Sequence, residues 1–157
     1  MKQATFNDLI SLEYPDSFKE LSKEENEKYF TGDLYRISFH SEEKHIILSL
    51  SKSKDSFFNR LISIVTVASS SLTNLQRNLK DYQFIEEYQS TIFGVDAITE
   101  CFTYTANDKD LKQYGELSIF KYKKAFYVIY SIGWLENKEE NKELFKEFKN
   151  SFKPINE

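Results

Sequence analysis

The pattern of hydrophobic and polar positions first predicts a β-hairpin. Residues 34–40 and 45–50 alternate apolar and polar side chains, and the polar loop 41–44 separates them. If His40 lies opposite His45, one face of the hairpin carries only apolar pairs. A shift of one residue would mix the two faces, so the pattern specifies the register strongly.

The next stretch has the periodicity of a helix. Asp55 is a suitable N-cap residue, and apolar residues then recur at spacings of three and four. This pattern predicts an amphipathic helix that packs on a sheet, because it is too short for a coiled coil. The apolar stripe consists of Phe58, Leu61, Val65, Ala68, Leu72, Leu75 and Leu79.

Four strands are predicted in the second half of the chain, at 84–89, 96–105, 113–122 and 125–132. Short loops join them, so neighbouring strands should be antiparallel. The last two strands are apolar on both faces, which predicts a central position in a sheet covered on both sides. We expect Leu117, Ile119, Val128 and Tyr130 to face one layer, and Phe120 and Ile129 to face the other.

Shorter elements complete the predicted architecture. Ser22 to Glu25 reads as a capping box for a helix that ends before Gly32, and residues 9–14 alternate as a strand. Asn137 with Glu140 is the predicted cap of a C-terminal helix whose stripe is Leu144, Phe145, Phe148 and Phe152. We therefore predict an α+β fold, a single antiparallel β-sheet sandwiched between helices (α/β/α), as one domain over residues 1–157.

Four segments in this order resemble the PsbP-like superfamily. They are the strand and Tyr-Pro turn at 10–18, the strand–glycine turn–strand at 82–87 and 92–97, the strand at 126–131, and the closing helix at 145–153. The superfamily includes the photosystem II oxygen-evolving subunit P, a Ran-binding nuclear import factor and many uncharacterised bacterial domains. The resemblance implies an antiparallel sheet between helices and a protein-binding, noncatalytic role. It assigns no binding residue.

Charge and hydropathy narrow the classes of partner and location. The 25 acidic and 21 basic residues give a net charge of −4 that is spread along the chain. No basic stripe is present, so nucleic-acid binding is not expected. The longest apolar-rich segment, 61–67, is too short to span a bilayer, so no membrane insertion is expected. We expect a cytoplasmic protein, or an extracytoplasmic one if a leader peptide precedes Met1.

The residues that could carry chemistry form no recognised motif. Cys101 lies within a strand and is expected to be a core thiol without a base beside it. His40 and His45 would lie side by side in the hairpin, but two ligands are too few for a structural zinc site. The sequence lacks a nucleophile elbow and a glycine-rich phosphate loop. We therefore expect no catalytic residue, no cofactor and no metal, and no stabilisation by zinc.

These observations favour a noncatalytic module that binds an unidentified protein. One alternative is a cytoplasmic chaperone or adaptor for a secreted effector, which should expose an apolar sheet face. Another is a binder of a small apolar ligand, which should enclose a cavity lined by Phe and Tyr. The candidate partner-binding residue is Trp134, the only tryptophan. The competing interpretation is that Trp134 fills the seam between sheet and helix; the oligomeric state stays open.

Overall fold

The computed structural model describes residues 1–30, 35–53, 59, 61–106 and 110–155. Within them lie a seven-stranded antiparallel sheet, a three-stranded sheet and three α-helices, so the predicted α+β fold class is confirmed. The large sheet has the strand order β3-β4-β5-β9-β8-β7-β6, and the small one β1-β2-β10. The strands are β1 (Lys2–Phe6), β2 (Ile10–Tyr14), β3 (Lys19–Glu20), β4 (Tyr35–Ser41), β5 (Ile46–Lys52), β6 (Gln83–Ile92), β7 (Val95–Thr105), β8 (Lys112–Tyr122), β9 (Ala125–Trp134) and β10 (Lys153–Pro154). The helices are α1 (Lys23–Tyr29), α2 (Ile64–Asn78) and α3 (Lys138–Asn150).

The central strands are covered on both faces, as predicted. Leu117, Ile119, Val128 and Tyr130 share one apolar cluster with Ala68, Val67 and Leu75 of α2. Phe120 and Ile129 belong to a second cluster, which includes Phe145 and Phe148 of α3 and Phe6 and Leu12 of the small sheet. We call the first side of the sheet the α1/α2 face, because both helices pack there, and the second side the α3 face.

The β4–β5 hairpin forms with a register different from the predicted one. Phe39 pairs with Leu48 and His40 with Ile47, which is a shift of two residues from the expected pairing. Ser41 still belongs to β4, and the turn ends at His45, which adopts a left-handed conformation with φ 54°. An even shift keeps each side chain on its expected face, so the hydrophobic pattern could not distinguish the two registers.

Helix α2 begins later than the sequence predicts. Its N-cap is Ser63, whose hydroxyl accepts a hydrogen bond from the Thr66 amide, and the predicted cap Asp55 lies outside the described residues, as does Phe58. Leu61 precedes the helix and is 72% exposed, and Val65 is 61% exposed, so both were wrongly placed on the buried stripe. The only buried residue of α2 is Ala68, and this helix covers the sheet thinly.

Helix α3 buries more side chains against the sheet than α2 does, and its Phe145 and Phe148 are fully buried. Asn137 is the N-cap residue of α3, as predicted, but the predicted side-chain capping is wrong, because its side chain makes no capping hydrogen bond. A 3-10 turn, Leu135–Asn137, leads directly into the helix and leaves this residue without the extended backbone that a side-chain cap requires. The predicted capping box of α1 is confirmed, with Ser22 and Glu25 bonding each other's backbone amides.

The small sheet contains two strands that the sequence did not reveal, β1 and β10. Strand β1 pairs with β2 through a turn at Asn7 and Asp8, both left-handed with φ 54° and 56°. This sheet lies beside α3 on the α3 face, so one covering layer combines strands with a helix. No helix in the described residues is long and apolar enough to span a membrane.

Candidate functional site

Strand β6 forms one end of the large sheet, and its side chains are unusually exposed. It pairs with β7 on one side, and no described residue pairs with its other side. Phe84, Ile85 and Tyr88 are 50%, 40% and 37% exposed. The pairing with β7 is interrupted by a bulge at Ile85. Such an edge presents unpaired backbone groups together with apolar side chains, which is the usual starting point for strand addition.

A groove adjoins this edge at the end of the sheet. It has a volume of about 550 Å³, and its lining includes Tyr82, Phe84, Ile85, Tyr104 and Leu135. Leu135 directly follows Trp134 in the chain. The groove therefore connects the exposed apolar residues of β6 with the segment that carries the predicted binding residue.

Trp134 closes strand β9 and is partly buried. Its indole stacks on the His45 imidazole, with ring centroids 3.7 Å apart and an angle of 10° between the planes. The Trp134 carbonyl accepts a hydrogen bond of 3.4 Å from the Asn141 side chain. The stacked pair thus ties the β4–β5 turn to the end of β9 while leaving part of the indole accessible.

The two histidines do not form the predicted side-by-side pair. His40 lies opposite Ile47 and contacts the ring of Tyr29, whereas His45 lies in the turn. Burial is the main reason why the pKa of His40 is lowered; the charge of Glu42 opposes this effect, and that of His45 adds to it. In the described part of the chain no three His, Cys, Asp or Glu side chains are grouped closely enough to hold a metal ion.

Cys101 is a core thiol, as expected. It is 1% exposed on the α3 face of β7. Burial is the main reason why the pKa of its thiol rises to about 11. A thiol with so high a pKa is almost entirely protonated at neutral pH and is a poor nucleophile.

A buried ion pair under α3 was missed by the sequence analysis. Lys149 Nζ lies 3.1 Å from Glu116 Oε1 and donates a hydrogen bond of 3.1 Å to the Tyr88 hydroxyl. The Tyr114 hydroxyl donates to Glu116 Oε2 at 2.7 Å. Burial alone would lower the pKa of Lys149, but the Glu116 charge and the hydrogen bonds outweigh it and raise that pKa. The only sign of this ion pair in the sequence is Glu116, a glutamate within an otherwise apolar central strand.

A second buried carboxyl, that of Glu100, has no such partner. It is 0% exposed on the α1/α2 face, and neither carboxyl oxygen has a hydrogen-bond partner among the described residues. Burial, and secondarily the charge of Glu87 on β6, raises the pKa of Glu100 to about 7. The hydroxyl of nearby Tyr82 is also buried, and no residue that the structure describes forms a hydrogen bond with it.

Comparison with known proteins shows the fold. No family model matches the chain, and no curated protein matches it. Among solved structures, a cyanobacterial PsbP from Synechocystis superposes with a TM-score of 0.70 at 12% identity, covering 96% of this chain and 90% of its own. A variant of the protein Mog1 gives 0.59 at 11% identity, with coverages of 98% and 95%. A protein of unknown function from Pseudomonas aeruginosa gives 0.61 at 9% identity, with coverages of 96% and 94%.

These likenesses define the class of protein: an α+β antiparallel sandwich. The chain has the PsbP-like fold, which the sequence resemblance implied.

Proposed function

We propose that this protein is a noncatalytic protein-binding module and that strand β6 is its docking edge. The observation that carries the proposal is the exposure of Phe84, Ile85 and Tyr88 on one unpaired edge. Large apolar side chains are costly to leave in water, and edges of this kind are normally blunted or covered. A partner strand would satisfy the backbone and cover these side chains together.

The charge of β6 favours an extended segment of another protein over a second copy of this chain. Two copies that continue the sheet around a two-fold axis keep each side chain on its own face. Registers centred on Glu86 or Glu87 then place two identical carboxylates directly opposite each other, which is destabilising. Strand β6 contains no basic residue that could compensate. A partner strand carrying Lys or Arg avoids this repulsion.

Trp134 is proposed as a second contact at the border of the same surface. Leu135 links it to the groove beside Phe84 and Ile85. If it contacts the partner, Trp134→Ala should weaken binding while the melting temperature changes little. If it fills the seam, the same substitution should mainly lower the melting temperature.

Two observations weigh against the alternatives. An effector chaperone would need an uncovered apolar sheet face, and both faces of β7, β8 and β9 bear buried apolar clusters. A binder of small apolar ligands would need an enclosed cavity, and the groove beside β6 is open to solvent. The edge of the sheet remains the best-supported surface.

Site-specific photo-crosslinking in cells tests the proposal. A photoreactive phenylalanine derivative is placed at Phe84 and, as a matched exposed control on α2, at Val65. We expect a discrete adduct with one protein from position 84 only, and its loss when Glu87→Lys removes the net negative charge of the edge. Equal adducts from both positions, or none from position 84, would contradict a docking role for β6.

A further inference from the structure

Buried polar side chains differ between the two faces of the large sheet in whether they have hydrogen-bond or ion-pair partners. On the α3 face, Glu116 and Lys149 satisfy each other. Within the described part of the chain, the buried side-chain atoms that lack partners belong instead to the α1/α2 side, on residues Asn26, Ser38, Tyr82 and Glu100. Unsatisfied buried polar groups are rare in folded proteins, and a group of them on one side requires an explanation.

Arg36 is a partly buried charged residue on the same α1/α2 side of the sheet. It lies on β4, facing α1, and its Nη1 donates one hydrogen bond of 3.1 Å to the Ser49 hydroxyl. The ring of Phe30 covers the guanidinium, with its centroid 3.8 Å from the Arg36 Cζ atom. No carboxylate of the described residues lies within ion-pair distance of Arg36. A guanidinium has five donors, so most of its hydrogen-bonding capacity is unused.

Burial without a counter-charge shifts the pKa of the Arg36 guanidinium. It lowers the pKa of Arg36 to about 10, whereas the neighbouring Tyr130 raises it slightly. The guanidinium stays positively charged at neutral pH all the same. A partly desolvated cation of this kind gains strongly from an anion that can form two parallel hydrogen bonds with it.

A groove beside Arg36 has room for such an anion. Its volume is about 650 Å³, and its lining includes Asn26 and Phe30. Glu20, Lys23 and Glu27 also line it, so with Arg36 its formal charges cancel. A single carboxylate adds one negative charge to this neutral groove, whereas a phosphate dianion adds two beside the carboxylates of Glu20 and Glu27, so a monoanion fits better.

We propose that the groove between α1 and β4 is a carboxylate-binding site in which Arg36 is the charge partner. The Phe30 ring packs against one face of the guanidinium, and the Ser49 hydroxyl accepts a hydrogen bond from its Nη1. Asn26 lines the same groove, and its side-chain oxygen is buried without a partner among the described residues. A rotation of this amide would let the oxygen accept an N–H beside the carboxylate, as the last peptide bond before a chain terminus would supply. This site does not depend on the docking edge at β6, so either proposal can fail without the other.

Nuclear magnetic resonance of the arginine Nε–H groups tests the site directly. The chain has three arginines, at 36, 60 and 77, so the spectrum is simple, and Arg77 is an exposed control on α2. Sodium acetate, N-acetylglycine and inorganic phosphate are titrated separately against sodium chloride at equal ionic strength. We expect a saturable shift of Arg36 with both carboxylates, little shift of Arg77, and weaker binding of phosphate.

The comparison of probes identifies the source of the carboxylate. Tighter binding of N-acetylglycine than of acetate supports a peptide terminus, and equal binding supports a small free acid. Arg36→Lys keeps the charge but loses the planar fork, and we expect it to weaken carboxylate binding roughly tenfold. If chloride or phosphate shifts Arg36 as much as acetate does, or if Arg36→Lys binds acetate unchanged, the site does not exist.

Discussion

Replacing the unpaired buried carboxyl by an amide should stabilise the protein above neutral pH. Glu100 is 0% exposed, no described residue forms a hydrogen bond with either of its oxygens, and burial raises its pKa to about 7. Glu100→Gln preserves the shape of the side chain but cannot ionise. The variant therefore isolates the cost of placing a negative charge beneath α2.

The pKa sets both the direction and the size of the effect. Because the pKa is raised from 4.5 in the unfolded chain to about 7, the folded state holds its proton more tightly. This contribution to stability is present in full below about pH 4.5, and it is lost as the pH rises through 7. At about 1.4 kcal/mol per pH unit, the whole loss amounts to about 3 kcal/mol.

Urea denaturation of the wild type and Glu100→Gln between pH 4 and pH 8 measures this loss. We expect nearly equal free energies of unfolding at pH 4, and a variant that is more stable by about 3 kcal/mol at pH 8. Glu87→Gln should give a smaller gain at pH 8, because it removes only the secondary cause of the raised pKa. A difference between Glu100→Gln and wild type that is the same at pH 4 and pH 8 would refute the reasoning.

Three further predictions concern the core. Lys149→Met leaves the Glu116 carboxylate buried without its cation, and chemical denaturation should show a loss of about 3–5 kcal/mol; an unchanged midpoint would mean that the pair is not buried in solution. Gly115→Ala would place a Cβ 2.6 Å from Cζ of the buried Phe102 ring, so calorimetry should show a destabilisation of about 1–3 kcal/mol; a neutral result would mean that this ring can move. Native Cys101 should react with a thiol reagent only at the rate of unfolding, because it is buried and its pKa is about 11; rapid reaction in the native state would contradict this.

The sequence predicted the parts of the fold that depend on local pattern. Strands β6 to β9 alternate over long segments joined by short loops, and each was found within a few residues of its predicted bounds. Strands β1 and β10 were missed because β1 is short and mostly polar and β10 has only two residues, so neither carries a clear hydrophobic period. Their pairing with β2 depends on distant parts of the chain.

The candidate sites were harder to predict than the fold. Contact between His45 and Trp134 depends on a hairpin register that two alternatives satisfied equally. Whether a buried charge is paired depends on which residue faces it from another element, and single-strand patterns contain no such information. Glu116 meets Lys149 of α3, whereas Glu100 faces Glu87, although both glutamates lie within apolar strands.

The small sheet also constrains the order in which the protein can fold. Strand β10 pairs with β2, and the Ser151 hydroxyl bonds the backbone of Glu13 across 138 residues of sequence. Closing so long a loop costs entropy before any contact repays it, whereas the meander from β6 to β9 needs only neighbouring segments. The meander should therefore assemble first and the β2–β10 pairing last. In hydrogen exchange, the amides that join these two strands should open well before those between β8 and β9.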